Sequence, residues 1–326
     1  MRAHLLLLSL VLLTHSPARA QPGVVQALDP SLRVLPLEGL EQVDEDALLG
    51  PGRAPAIVAV ADRAGRYHPG REPLLVLHGI RADFGDVAPM IRRLAAQTRY
   101  QVHLLAYSDT CRLTSWNGDD LARLLTARFA GRDLTLVAHS LGGIVARRAL
   151  NHLALEGGLD LFPRVRVIAV DVPWHGYSGP GDGLRMRLAR PFMPDGYEDM
   201  RARSAMFLGL YETELPAHVS ILMVAARQGD QALDYRELPQ VPVEIARRLR
   251  GEPFQPGLDP RVRHAASAIL QSEVGERLRR DGLRTPAEVS QALERRLLRL
   301  PGDHATVLAS DAFQRLLERF IGVDRP

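Results

Sequence analysis

Short apolar runs alternate with amphipathic helical patterns along most of this 326-residue chain. Each run is only a few residues long, which suits a strand buried on both faces. The predicted strands are Ala56–Ala61, Leu74–Leu77, Val102–Ala106, Leu134–Ala138, Val165–Val170, Ile221–Ala225 and Leu297–Leu300. The predicted helices between and after them are Val87–Thr98, Asp119–Phe129, Gly143–Ala154 and Ala312–Ile321. This alternation predicts an α/β fold, in which helices cover both faces of a mostly parallel, doubly wound sheet.

The first twenty residues have the pattern of a cleavable export signal. Arg2 provides a positive start, Leu5–Leu13 is a short apolar run, and Ala18-Arg19-Ala20 is a small-x-small cleavage site. The apolar run is too short to cross a bilayer as a helix. We therefore expect an exported protein, periplasmic or extracellular, whose mature chain starts at Gln21 and has no transmembrane segment.

Composition excludes several classes of protein. All 41 basic residues are arginine, they face 38 acidic residues, and removing the signal lowers the formal charge from +3 to +1. So balanced a charge does not indicate a nucleic-acid partner. The 46% hydrophobic content excludes a disordered tail, and the single cysteine excludes a disulfide scaffold.

The mature chain divides into three predicted parts. Residues 21–53, rich in proline, glycine and acidic residues, form an N-terminal arm that we expect on the surface. Residues 54–232 and 297–326 form the α/β core. Residues 233–296 form a helical insertion before the last strand, with helices predicted over Val243–Arg250, Arg261–Arg280 and Pro286–Arg296. An insertion of this size is a candidate cap or lid, and a purely stabilising helical cap is the alternative.

The segment Leu134–Gly143 contains the motif that is most informative about chemistry. A predicted strand runs into a predicted helix through Ala138-His139-Ser140-Leu141-Gly142. A serine at such a turn projects its hydroxyl clear of the sheet, and the helix N-terminus points at the same spot. A hydroxyl is a weak nucleophile unless a base reaches it. Ser140 is the candidate nucleophile, and a structural helix cap is the alternative.

Two backbone amides are candidates for an oxyanion hole. The strand Leu74–Leu77 ends in His78-Gly79-Ile80, where a glycine permits a sharp turn that frees the N–H group of Ile80. With the N–H group of Leu141 it would form the pair of donors that acyl transfer requires. We expect His78 to be a packed, hydrogen-bonded side chain and not a base.

We expect the base and the acid on loops that follow later strands. His304 follows the last predicted strand, so it is the candidate base. Asp230, on the loop after Ile221–Ala225, is the preferred acid; Asp171 is its rival and Asp234 a more distant one. The order Ser, Asp, His along the chain is the one described for nucleophile-elbow hydrolases.

Several motifs of the chain resemble those of α/β-hydrolases of the lipase and esterase kind. The segments LLVLHGI, LTLVAHSLGGIVARRAL, VDVPWHGYSG, DMRARSAMFLGL and LPGDHATVL are similar to stretches of bacterial triacylglycerol lipases and of esterases like the GPI-inositol deacylases. The likeness covers roughly Pro73–Asp230 and Leu297–Phe320, and it departs from the usual pattern at Ala138, where glycine is common.

The resemblance implies a nucleophile, a base, an acid and two oxyanion donors, at Ser140, His304, Asp230, Ile80 and Leu141. Asp171 falls where such proteins often carry threonine before Pro-x-His-Gly, which argues against it as the acid.

The sequence thus predicts an exported serine hydrolase that cleaves carboxylic esters, with a small-molecule ester or a lipid as substrate. We expect no cofactor and no metal, because the chain has no HExxH motif and no phosphate-binding loop. Transient contact with a lipid surface is compatible with this reading. The alternatives are an acyltransferase that uses the same acyl-enzyme, and a non-catalytic binding or assembly protein on a hydrolase scaffold.

Overall fold

The computed structural model describes residues 32–80, 82–109, 111–176, 199–228 and 238–320. Eight strands of this part form one sheet, in the order β1-β2-β4-β3-β5-β6-β7-β8. They are β1 (Val34–Leu35), β2 (Ala56–Val60), β3 (Glu72–Leu77), β4 (Tyr100–Ala106), β5 (Leu134–His139), β6 (Val165–Val170), β7 (Val219–Ala226) and β8 (Leu298–Leu300). Only β1 and β2 run against the other six, because β2 pairs antiparallel with β4. The predicted mostly parallel sheet is confirmed.

The α-helices of the described residues follow the predicted alternation. They are α1 (Phe84–Leu94), α2 (Thr114–Phe129), α3 (Leu141–Leu155), α4 (Ala205–Gly209), α5 (Val241–Leu249), α6 (Pro260–Leu270), α7 (Glu273–Arg280), α8 (Pro286–Arg296) and α9 (Asp311–Phe320). None of the helices in the described ranges is long and apolar enough to cross a bilayer.

Helix boundaries depend on capping residues that apolar spacing does not reveal. Helix α1 begins three residues before the predicted start, because Asp83 and Asp86 form a capping box there. The helix predicted over Arg261–Arg280 is two helices, since the Ser272 side chain accepts from the Val274 amide and starts α7.

Two apolar cores lie on the two faces of the sheet. One core joins the sheet to α2, α3 and α4 and to the helices of the 238–296 region. In that region Ile245, Leu278 and Leu293 are completely buried. The other core joins the sheet to α1, α9 and the N-terminal arm. The predicted coverage of both faces is therefore confirmed.

The described part of the N-terminal arm is built into the fold, contrary to the surface position expected from its composition. Residues 34 and 35 add strand β1 to the sheet edge beside β2. Leu37, Leu40 and Leu48 are buried in the core that also contains α1. The leucines between the polar residues of the arm therefore decide its position, because each removes apolar surface from water.

Helix α3 packs unusually close to the end of β3. A methyl group on Gly142 would lie 2.5 Å from the carbonyl oxygen of His78 and 2.8 Å from that of Leu77. Backbone atoms at a strand end cannot move aside as a flexible side chain would. The absence of a side chain at position 142 is thus what allows the start of α3 to rest on β3.

We predict that Gly142→Ala lowers the free energy of unfolding by about 3 kcal/mol, because the added methyl group overpacks a site enclosed by backbone. Gly209→Ala is the matched control, since a methyl group on this helical glycine meets nothing within 4 Å. Urea unfolding of both variants measures the difference. Equal stability of the two would contradict the close packing of α3 on β3.

Candidate active site

The carboxyl ends of β3, β5, β6, β7 and β8 lie at one edge of the sheet. The register pairs Leu77 with Ala138, His139 with Val170, and Ala226 with Leu300. Loops that follow parallel strands meet at such an edge, and there their side chains converge. The segments after these strands carry most of the polar residues singled out from the sequence.

Ser140 occupies a sharp turn between β5 and α3. Its backbone has φ 52° and ψ −124°, a conformation that residues with a side chain rarely adopt. The Ser140 N–H group donates to the carbonyl of Val170 at 2.9 Å, which fastens the turn to the neighbouring strand. The geometry of this turn agrees with the strand-turn-helix placement expected for the serine.

His304 reaches Ser140 from the loop after β8. Its Nε2 lies 2.9 Å from the Ser140 hydroxyl oxygen. The loop is shaped by Asp303, whose carboxylate accepts from the backbone of Ala305 and Thr306 and from the Thr306 hydroxyl. These bonds lower the pKa of Asp303, the Thr306 hydroxyl being the largest cause. Asp303 therefore holds the loop, and within the described residues its carboxylate makes no hydrogen bond to the imidazole of His304.

The carboxylate that contacts His304 belongs to Asp171, which corrects the preference for Asp230. Asp171 Oδ2 lies 2.5 Å from His304 Nδ1, and Oδ1 accepts from the Ala226 amide at 2.9 Å. The side chain is completely buried. Asp230 and Asp234 lie outside the described residues. The chain order of serine, acid and histidine is unchanged by the correction.

Asp171 reaches His304 because it directly follows β6, the strand beside β5. Its own backbone is in the left-handed region, with φ 50°, and its N–H group donates to the carbonyl of Val224. One signal in the sequence pointed to it, namely an acidic residue immediately after the predicted strand Val165–Val170. The resemblance to proteins that carry threonine at this position argues against Asp171, whereas its contact with His304 favours it.

His139, the residue before the serine, was not singled out from the sequence. Its Nε2 donates to the carbonyl of His304 at 2.8 Å, and the two rings are 4.6 Å apart. Burial is the main cause that lowers the pKa of His139 to about 4. The ring is therefore neutral near pH 7 and carries its proton on Nε2, since a carbonyl only accepts. The signal available in the sequence was the place of His139 inside the serine motif, directly before Ser140.

Gly79 brings the loop after β3 against Ser140. A methyl group at Gly79 would lie 3.0 Å from Ser140 Cβ and 3.5 Å from its hydroxyl oxygen. Gly79 is not among the residues with positive φ, so close approach and not backbone freedom explains the glycine. Ile80, the first candidate oxyanion donor, is the next residue in this loop. Leu141, the second, is the first residue of α3, where an N–H group has no partner within the helix.

An apolar pocket adjoins the segment that follows Asp171. It is lined by Val172, Trp174, Met223, Val224, Ala225, Leu297 and Arg299. Trp174 is buried in the core, whereas Trp116, the other tryptophan of the sequence, is 56% exposed near the start of α2. Of the two, only Trp174 lines this pocket.

No group of three or more His, Cys, Asp or Glu side chains within the described ranges is arranged to hold a metal ion. What the site brings together is a hydroxyl, an imidazole and a buried carboxylate in series. Such a series can move a proton from the hydroxyl to the imidazole while the carboxylate orients the ring.

The strand order, the strained serine between β5 and α3, and the histidine after the last strand together decide the architecture. The chain has an α/β-hydrolase fold. No protein-family model and no curated protein matches the chain.

Solved structures similar to this α/β-hydrolase fold include lipase B of Aspergillus fumigatus, with 13% identity, a TM-score of 0.42, and 55% of this chain and 42% of that one covered. The mature lipase BlEst2 of Bacillus licheniformis has 16% identity and a TM-score of 0.39, and the match covers 82% of this chain and 98% of that one. A lipase-esterase related protein of Clostridium acetobutylicum has 14% identity and a TM-score of 0.37, and the match covers 82% of this chain and 99% of that one. The chain thus spans less than half of the fungal lipase, and at these identities none of them assigns it a substrate.

We predict that Asp171→Asn lowers kcat for an ester substrate by about 10⁴-fold, because the amide cannot hold the same imidazole tautomer. Asp230→Asn is the matched control and should keep wild-type turnover. Steady-state kinetics of the two purified variants measures the difference. A large loss in Asp230→Asn with little loss in Asp171→Asn would restore the acid preferred from the sequence.

Proposed function

We propose that this protein is an exported serine hydrolase that cleaves carboxylic esters. The observation that carries the proposal is the series of two contacts, Ser140 Oγ to His304 Nε2 at 2.9 Å and His304 Nδ1 to Asp171 Oδ2 at 2.5 Å. Each of the three side chains follows a different strand, so the series is assembled by the sheet. A non-catalytic scaffold has no need of this alignment.

In the proposed reaction, the Ser140 oxygen attacks the ester carbonyl and His304 Nε2 takes its proton. Asp171 stabilises the imidazolium that forms, through the contact at Nδ1. The N–H groups of Ile80 and Leu141 receive the oxyanion of the tetrahedral intermediate. His304 then gives the proton to the leaving alcohol, and an acyl-enzyme remains on Ser140. Water, activated by His304, releases the acid and restores the serine.

The apolar pocket beside Asp171 has room for no more than about one water molecule, so it does not enclose an acyl chain. The acyl length is therefore a question for a substrate series.

We predict that a fluorophosphonate probe labels the purified protein on Ser140, since the probe reacts with a serine whose hydroxyl faces a base. Ser140→Ala should abolish labelling without unfolding the protein. Mass spectrometry of the labelled peptide identifies the modified residue. Absence of labelling in the folded wild-type protein would exclude the catalytic proposal and favour a binding scaffold.

A series of p-nitrophenyl esters of increasing acyl length then defines the substrate class. Highest kcat/KM on the shortest acyl groups would indicate an esterase, and highest kcat/KM on long acyl groups a lipase. Adding an alcohol separates hydrolysis from acyl transfer, because both share the acyl-enzyme and differ only in what attacks it. Accumulation of the new ester in place of the acid would identify an acyltransferase.

Export is proposed from residues 1–20, which lie outside the described residues. Its support is the charged start, the short apolar run and the small residues at the end of this segment. We predict that the exported protein begins at Gln21, which its intact mass would show. An intact mass that retains Met1–Ala20 would contradict cleavage.

A further inference from the structure

One carboxylate of the N-terminal arm contacts both ends of the loop that follows β3. Glu45 Oε2 lies 3.0 Å from Nε2 of His78, the first residue after the strand. Glu45 Oε1 accepts from the Phe84 amide, at the first residue of α1, at 2.7 Å. The loop between these two contacts contains Gly79 and Ile80. A single side chain thus fixes where the loop leaves the sheet and where it enters the helix.

His78 is enclosed on its remaining sides. Its Nδ1 lies 2.8 Å from the carbonyl oxygen of Gly79, and the ring stacks on Tyr107 with 4.6 Å between ring centroids. The Tyr107 hydroxyl donates to the His78 carbonyl at 2.7 Å. The His78 side chain is only 3% exposed and that of Glu45 14%. The ring therefore has little freedom to take another orientation.

The partners of His78 define its protonation. A carbonyl oxygen only accepts, so Nδ1 carries a proton, and an ionised Glu45 requires a second proton on Nε2. Burial acts to lower the pKa of His78, but the Glu45 hydrogen bond and charge, the Gly79 carbonyl and the charge of Asp109 outweigh it, and the pKa is raised. The contact is thus an ion pair between an imidazolium and a carboxylate.

The part of the loop held in this way includes Gly79, which packs against the proposed nucleophile Ser140. The Gly79 carbonyl that accepts from His78 belongs to the peptide whose N–H group is that of Ile80. The Glu45–His78 pair therefore holds the very peptide that carries the first proposed oxyanion donor. Because Gly79 packs against Ser140, a small displacement of this peptide would change the distance between donor and oxyanion.

We infer that Glu45 is a positioning residue for the oxyanion hole, acting through His78 on the Gly79–Ile80 peptide. The inference rests on the proposed function, since the hole matters only if Ser140 attacks a carbonyl. It also gives the N-terminal arm a part in catalysis, although no residue of the arm is placed in contact with substrate.

A second ion pair provides a control for the general effect of attaching the arm to α1. Glu41 of the arm pairs with Arg92 of α1, and both side chains are about two-fifths exposed. Among the described residues, this pair makes no hydrogen bond to the loop between His78 and Phe84. Glu41→Ala therefore loosens the same two elements without removing a contact of the loop.

We predict that Glu45→Ala lowers kcat for a p-nitrophenyl ester by about 10- to 100-fold, with KM changed by less than about threefold. A matched thionoester tests the cause, because its sulfur accepts hydrogen bonds poorly and gains less from an oxyanion hole. Its turnover should fall much less, so the ratio of ester to thionoester turnover should drop. A merely structural defect would lower both rates together.

Two further variants refine the measurement. Glu45→Gln should keep the ratio within about threefold of wild type, because its amide can accept from Phe84 and donate to a neutral His78. Glu45→Asp keeps the charge but is one methylene too short for both contacts, so its ratio should drop even if Glu45→Ala does not fold. Glu41→Ala should match wild type. Thermal unfolding establishes that each variant is folded at the assay temperature.

The outcomes separate the inference from the function on which it rests. An unchanged ratio in folded Glu45→Ala or Glu45→Asp, with active wild-type protein, would overturn the role of Glu45 and leave the hydrolase proposal standing. An equal drop in Glu41→Ala would also overturn it. Wild-type protein that neither turns over esters nor reacts with the fluorophosphonate probe would overturn both.

Discussion

The strained backbone of Ser140 is the constraint around which the site is arranged. A residue held at φ 52° costs about 1–3 kcal/mol relative to a relaxed conformation, so the surrounding contacts must over-determine it. The bond from its N–H group to Val170 and the packing of Gly79 and Gly142 at the strand ends supply those contacts. This conformation holds the hydroxyl at the carboxyl ends of the strands, where the segments after the other strands also place their side chains.

The position of the acid follows from the same sheet. Strand β6 lies beside β5, so a residue directly after β6 needs only its own side chain to approach a histidine that contacts Ser140. A residue after β7 starts one strand further away. Asp171 adopts a left-handed backbone at this point, and the Ala226 amide holds the oxygen that does not face His304. Two residues with strained backbones, each directly after one of two neighbouring strands, therefore carry the proposed nucleophile and the carboxylate.

Most of the fold could be predicted from the sequence, because strands buried on both faces of a parallel sheet are mostly apolar and this chain has such runs. Strand β1 was missed because two residues carry no periodicity, and its place depends on pairing with β2. The boundaries of α1 and α7 were set by caps. Ser140 and His304 could be found because their positions relative to strands are visible in the sequence. The sequence does not decide whether Asp171 or Asp230 is the acid, since that choice depends on the strand order and on one backbone angle.

The arm shows a different limit of sequence reasoning. Glu45 lies 33 residues from His78 in an acidic stretch, and nothing in that stretch distinguishes it from its solvated neighbours. Burying two opposite charges costs several kcal/mol per ion before their attraction repays it, so such a pair is weak evidence for stability. A pair that spans both ends of a short loop does, however, define one geometry of that loop. The Glu45–His78 pair therefore contributes more to the placement of the Gly79–Ile80 peptide than to the free energy of unfolding.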